Sequence, residues 1–335
     1  MNGTSRLVQI VGQGGERLVG LVDEPVLRIV DVYASVYELA LAALAAAEPL
    51  AAFAWAHVGK RSIPYDEVWE GLAGWRVLPA IDHPTEPARC LISGTGLTHR
   101  RSVDTRQAMH AADATVTDSM RMYELGEAGG RPLAGSIGTS PEWFYKGNGT
   151  ILRGHGEPIL VPTYAEDGGE EPEVAGVYVI DSSGAPRRIG MATGNEFADH
   201  RLERRNYLYL AASKLRMCAI GPELVLDPDF SDVTGEVAIE RAGRTLWSRA
   251  LRTGDAAMCH SIENIEHHHF KYDAHRRPGD LHVHFVGADA FSFGDGIDLH
   301  SGDVMQIAFA GFGRPLRNPL VTERTPEMAI RVLPL

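Results

Sequence analysis

The stretch AEDGGEEPEVAGVYVI, residues 165 to 180, constrains the fold more than any other segment. Asp167-Gly168-Gly169 is turn chemistry, and the apolar run after Glu173 reads as a strand with its acidic mouth in the turn. If that strand begins near Glu171, residues i and i+2 point to one face, so Glu171 and Glu173 lie side by side. Two carboxylates held that close repel unless one is protonated or a cation lies between them. The plainer alternative is a solvated hairpin whose acids face water.

A formal net charge of −12 leaves no basic face to displace counterions from phosphates, which argues against a nucleic-acid partner. Cys90, Cys218 and Cys259 are widely spaced with no CxxC pair, fitting a reducing compartment and excluding a zinc knuckle. The N-terminal residues lack the basic start and long apolar run of a signal peptide. The longest apolar tract, 36–54, is broken by Glu48-Pro49, so no membrane span is expected. A cytoplasmic protein is the expectation.

Residues 6–32 alternate short apolar bursts with turns, which predicts a meander of two or three strands. A helical tract over 33–58, interrupted at Glu48-Pro49, and a short helix over 65–74 come next. The Pro-rich link at 84–88 marks a boundary between an N-terminal α/β domain, 1–88, and a catalytic domain, 89–335. A single helix is expected over 105–125, its methionines Met109, Met120 and Met122 packing into the core. Strands then dominate, with helices at 200–215 and 261–271 and closing strands that include MAIRVLPL, residues 328–335.

Several residues carry candidate chemistry. Glu196 ends a Gly-rich strand, a position where a carboxylate has a fixed direction and open space before it. Taken alone, it reads more readily as a helix N-terminal acid stabilised by the dipole. Three oxygen ligands suit Mg²⁺ or Mn²⁺ better than Zn²⁺. Lys146 sits in the aromatic strand PEWFYKGNG, and Lys214 stands before a Gly-Pro turn, either as a site cation or as a helix-end cation meeting the dipole. Adjacent histidines 267–269 point about 100° apart on a helix and cannot converge on one ion. His282 and His284 read as interior imidazoles. The turn GQGGERLVG lacks the spacing of a dinucleotide fingerprint.

Taken in order, PEWFYKGNG, EEPEVAGVYVI, GNEFADH, SKLRMCAIGPEL, RPGDLHVHFVGA and SGDVMQIAFAGFGRPLRN resemble the fumarylacetoacetate hydrolase superfamily. The resemblance covers most of the chain after Cys90. It implies an α+β fold, a mixed β-sandwich roll with a smaller N-terminal α/β domain, usually homodimeric. It further implies a divalent ion, Mg²⁺ or Mn²⁺, held by Glu171, Glu173 and Glu196, with Lys146 and Lys214 as catalytic lysines. Arg100 and Arg101 follow the glycine turn, where a guanidinium fork would fit the substrate carboxylate and a solvated loop is an equal reading. Ser102, Asn195 and Ala288 are further candidates to meet the substrate.

The departures select a branch. Hydrolases of the superfamily carry G-x-N-Y-x-x-H-x-x-E, whose His and Glu activate water. Here, in GLTHRRSVDT, Gly96 matches the glycine and His99 the tyrosine, while Ser102 and Thr105 fall at the His and the Glu. The late turn is altered to Gly287-Ala288-Asp289. Loss of the pair resembles the branch that dehydrates 2-keto-3-deoxy sugar acids, and such a small molecule is the expected partner. A pentonate would lose its C3 proton, with Lys146 handling it at a pKa lowered to about 7–8, and then its C4 hydroxyl, giving 2-ketoglutarate semialdehyde. The alternatives are a diketo-acid or acylpyruvate C–C hydrolase using another base such as His99, and a sugar-acid-binding protein without turnover.

Overall fold

The computed structural model describes residues 4–72, 74–110 and 117–335, with the side chains of 108–110 outside the described set. Among the described residues the larger sheet has 13 strands. Its central path runs Val58–Pro64, Val26–Val30, Arg17–Asp23, Arg6–Gly12, Leu224–Val225, Pro186–Asn195, Pro172–Ile180, Leu281–Phe285, Cys90–Gly94, Phe144–Asn148. The second sheet orders five strands as Arg244–Thr253, Val233–Arg241, Val304–Phe309, Leu316–Thr322, Ile159–Val161.

Every residue of Pro172–Ile180 is buried, because both of its faces are covered. Ala175, Val177 and Val179 pack with Ala192 against helices Val36–Ala46 and Leu50–Ala56. Val174 and Met191 pack on the other face against Val237, Ile307 and Phe309 of the second sheet. A strand buried on both sides needs a nearly continuous apolar run, and the residues from Val174 to Ile180 supply one.

The meander over 6–32 forms as expected, in three antiparallel strands. The expected boundary at residue 88 falls within a 3-10 turn, Pro87–Arg89, and the sheet runs across it: Arg6 pairs with Val225 and Leu7 with Leu224. The helix interruption at Glu48-Pro49 also forms, with Ala47 in the left-handed conformation between helices bent by 105°. No single described helix is long and apolar enough to cross a membrane.

Three sequence expectations are corrected. The helix over 105–125 is two helices, Arg100–His110 and Asp118–Gly129, the second opened by Thr117, whose Oγ1 accepts from Met120 N–H. Met120 is buried with Leu97, Val103, Tyr123 and Cys259, Met122 packs beside them, and the Met109 side chain lies outside the described residues. The helix over 200–215 breaks at Asn206, whose side chain accepts from Leu208 N–H and starts a new turn. Residues 328–335 form no strand: the last ladder ends at Thr322, and among the described residues no pairing continues beyond it.

Candidate metal centre

Glu171 immediately precedes strand Pro172–Ile180, Glu173 lies within it, and Glu196 comes directly after strand Pro186–Asn195. The antiparallel register sets Pro172 opposite Asn195, which brings the acidic entry of one strand to the exit of the other. Glu196 N–H donates to Glu171 C=O at 2.9 Å. Asn195 fastens this corner, its Oδ1 accepting from Glu171 N–H (3.3 Å) and Phe197 N–H (3.2 Å). As a result one carboxylate oxygen from each of Glu171, Glu173 and Glu196 lies within 4.8 Å of the others. All three side chains are buried, so the solvated-hairpin reading does not hold. Nor is Glu196 a helix-capping acid: Asp199 caps helix His200–Arg205, accepting from Leu202 N–H.

Both lysines join this cluster. Lys214 Nζ donates to Glu171 Oε1 at 2.6 Å and Glu196 Oε2 at 2.5 Å. Lys146 Nζ donates to Glu196 Oε1 (2.5 Å), Phe197 C=O (2.6 Å) and Lys214 C=O (3.0 Å), which uses all three of its N–H bonds. Burial opposes charge on Lys214, but Glu171 and Glu196 overcome it and hold the ammonium protonated.

The carboxylates divide. Burial works against charge on Glu171, yet Lys214 with His200 and Arg106 keeps it well below the usual range. Burial raises Glu173 strongly, and the charges of Glu196 and Glu171 add to it. Its Oε2 accepts from Gly287 N–H at 2.6 Å. Burial also raises Glu196, in spite of its two lysines.

Other buried groups close the cluster. Arg106 lies 3.7 Å from Glu171, 3.8 Å from Glu142 and 3.3 Å from Glu203. His200 Nε2 lies 3.1 Å from Glu171 Oε1, its ring stacked against those of Phe291 and Phe293. Five acidic side chains (Glu142, Glu171, Glu173, Glu196, Glu203) are thus gathered with Arg106, Lys146 and Lys214. The three converging carboxylates of Glu171, Glu173 and Glu196 are hard oxygen donors of the kind that suits one divalent cation. Glu142 and Glu203 each have both oxygens buried without a hydrogen-bond partner, and burial pushes the Glu142 carboxyl up to about 7.

The remaining candidates are placed differently. Arg100 pairs with Asp104 and lies over the Tyr123 ring, and Arg101 reaches Asp289 and Ala250 C=O; neither contacts the cluster. Ser102 Oγ donates to His99 C=O and Thr105 Oγ1 to Arg101 C=O, so both hydroxyls are spent inside their own helix. His99 is neutral, burial lowering it to about 3. Thr98 Oγ1 donates to Val286 C=O and so accepts from His99 Nδ1–H, which leaves Nε2 to accept from Thr253. Ala288 is buried directly after Gly287, the residue that binds Glu173.

Gly287 has φ +103°, and a Cβ there would run into Thr98 Oγ1. Gly287→Ala is therefore expected to cost roughly 1–3 kcal/mol of stability, read by a denaturant titration; an unchanged midpoint would refute this close approach.

Sequence reasoning missed Arg106, Glu142, Glu203 and His200. Glu142 shares the period-two face of Phe144 and Lys146, both buried, and that parity was a usable signal. Arg106 shares the inward face of its helix with Ser102 and Val103, a spacing that separates it from Arg100 and Arg101.

No protein-family model matches the chain. A 2-dehydro-3-deoxy-D-arabinonate dehydratase from Saccharolobus solfataricus is 33% identical over 120 residues, or 34% of this chain and 38% of that protein. The match therefore spans well under half of this relative's length. Among solved structures, a hexagonal crystal form of 2-keto-3-deoxyarabinonate dehydratase superposes with a TM-score of 0.70 at 21% identity, over 96% of this chain and 100% of the other. 2-Keto-3-deoxy-D-arabinonate dehydratase complexed with magnesium and 2,5-dioxopentanoate gives 0.69 at the same identity and coverage. 5-Carboxymethyl-2-hydroxymuconate delta-isomerase from Mycobacterium smegmatis gives 0.55 at 20%, over 96% and 100%. The fold is the one the sequence resemblance implied.

Proposed function

We propose that the chain, folded as the sugar-acid dehydratases are, is a metal-dependent hydro-lyase of a 2-keto-3-deoxy pentonate. The observation that carries this reading is Glu142, a buried carboxyl with both oxygens unpartnered, joined to the triad through Arg106. A carboxyl raised to about 7 suits proton transfer near neutral pH.

Glu171, Glu173 and Glu196 would hold Mg²⁺ or Mn²⁺, which supplies Lewis-acid polarisation of a 2-keto acid's C2 carbonyl. The chain's own groups do the rest. Glu142 takes the C3 proton and returns it to the departing C4 hydroxyl, so that water leaves and the carboxylate is regenerated. The resulting 5-hydroxy-3-ene becomes 2-ketoglutarate semialdehyde in two proton shifts, from C5 to C3 to give the C4=C5 enol and then from the enol oxygen to C4 to give the aldehyde. Lys146, with its N–H bonds committed, fixes Glu196 instead of accepting a proton. Lys214 keeps its charge and orients Glu171 and Glu196. Arg106 holds Glu142 toward the triad, and Asn195 pins the corner that carries Glu171 and Glu196.

C–C hydrolysis has less support, because Ser102 and Thr105 are spent in their helix and His99 has both nitrogens engaged. Incubating the protein and Mg²⁺ with 2-keto-3-deoxy-arabinonate, and separately with an acylpyruvate, tests the choice by mass spectrometry. One product lighter by a single water is expected from the first and no change in the second. Two smaller acids from the acylpyruvate would establish the hydrolase, and unchanged sugar acid would refute turnover of that substrate.

A further inference from the structure

Residues 324–335, RTPEMAIRVLPL, present apolar side chains with nothing against them. Met328, Ile330, Val332 and Leu333 are 81, 93, 88 and 67% exposed. Among the described residues, this segment makes no hydrogen bond or ion pair. It leaves the second sheet at Glu323, whose N–H donates to Val161 C=O. Met328, Ile330 and Val332 alternate with Ala329 and Arg331, the period-two pattern of a strand that lacks a ladder. So concentrated an exposed apolar run marks an interaction segment.

A receiving surface of matching chemistry lies on the same molecule. A cleft of about 860 Å³ opens between the bent helix pair 36–56 and the start of strand Pro186–Asn195. Residues 186 to 191 all line it consecutively. Alternating side chains on one face would contribute only every second residue, so the strand's edge faces the cleft. That edge is open: on the side away from Pro172–Ile180, the strand's first ladder partner is Val225, at Met191. The floor is apolar, with Leu44, Leu50, Leu226 and Phe230. The rim carries Arg187 and Arg188, which already pair with Asp181 and Glu266, together with Glu48, Asp227, Asp255 and Glu263, none of which has an ion pair among the described residues. Arg324 and Arg331 of the segment likewise have none among the described residues.

We infer that residues 327–333 of one copy add as a strand to the open edge at Arg187–Gly190 of a second copy, their apolar side chains filling the cleft. Main-chain hydrogen bonds supply affinity in such strand addition, and alternate side chains supply selectivity. Arg331 meets the acidic rim. The copies exchange arms reciprocally, as a two-fold pair requires.

Sedimentation of the full chain, 36.4 kDa per copy, tests this. Wild type is expected at twice that mass, and the double variant Ile330→Asp/Val332→Asp is expected to weaken association by at least about 100-fold. A monomeric wild type, or an arm variant that assembles normally, overturns the inference. A second measurement guards against altered folding. Ala329→Cys protein is mixed with Arg187→Cys protein and oxidised, the native cysteines all being buried. A disulfide-linked pair of the two supports arm exchange. No linked pair, or a link formed only within one chain of the Ala329→Cys/Arg187→Cys double variant, overturns it.

Discussion

Glu142→Gln is expected to lower kcat by about 10²- to 10⁴-fold, the usual contribution of a positioned proton-transfer group. The amide keeps the shape of the side chain but cannot take a proton from C3. Stability should move the other way. A carboxyl raised in the folded state binds its proton more tightly there than in the unfolded chain. Its ionisation therefore costs stability as pH rises from about 4.5, the ordinary value, through about 7. Gln removes that cost, so the variant should melt above wild type at pH 8 and close to it at pH 5. Loss of turnover with a raised melting temperature separates a catalytic role from a structural one. Near-normal kcat would remove Glu142 from the mechanism.

The second large effect concerns the ion. Adding Mg²⁺ to metal-free protein should raise its melting temperature, by an amount equivalent to roughly 2.7 kcal/mol at a hundred times Kd. For a chain of this length that is on the order of a few degrees. Glu173→Gln should abolish both this shift and the activity. Glu173 is the right ligand to change, because its own partner is Gly287 N–H and no lysine depends on it. Glu196→Ala is a poorer test: it strands Lys146 and Lys214, and breaking a buried ion pair costs about 3–5 kcal/mol. Full activity of wild type in excess chelator would end the metal mechanism, and a Mg²⁺-dependent shift surviving in Glu173→Gln would end the ligand assignment.

The triad was legible in the sequence because two of its members obey strand parity and the third ends the strand that pairs with theirs. Lys146 and Lys214 were legible as site cations, although the geometry commits Lys146 to three acceptors, which spacing alone does not reveal. Arg106, Glu142 and Glu203 were not found. Arg106 and Glu203 lie on helices whose inward face is set by tertiary packing, whereas Glu142, just before strand Phe144–Asn148, offered a parity signal that went unused. Arg100 and Arg101 looked equally suited because a helix shows its facing only over several turns. The expected strand over residues 328–335 has the right period but no ladder, since periodicity states what a segment can pair with and not whether the partner lies in the same chain. The N-terminal strands were read as a separate domain because composition changes at the linker. Hydrogen bonding nonetheless joins them to the strands beyond it.

The enclosure of the carboxylate cluster has a kinetic consequence. Its side chains are at most 7% exposed, and the His200 ring is stacked against Phe291 and Phe293. Under the proposed function a five-carbon acid has to reach carboxylates this enclosed, so each catalytic cycle would contain an opening and a reclosure. Between those events reactants are cut off from bulk solvent, and the traffic of molecules in and out shares control of the turnover rate with the bond-breaking step.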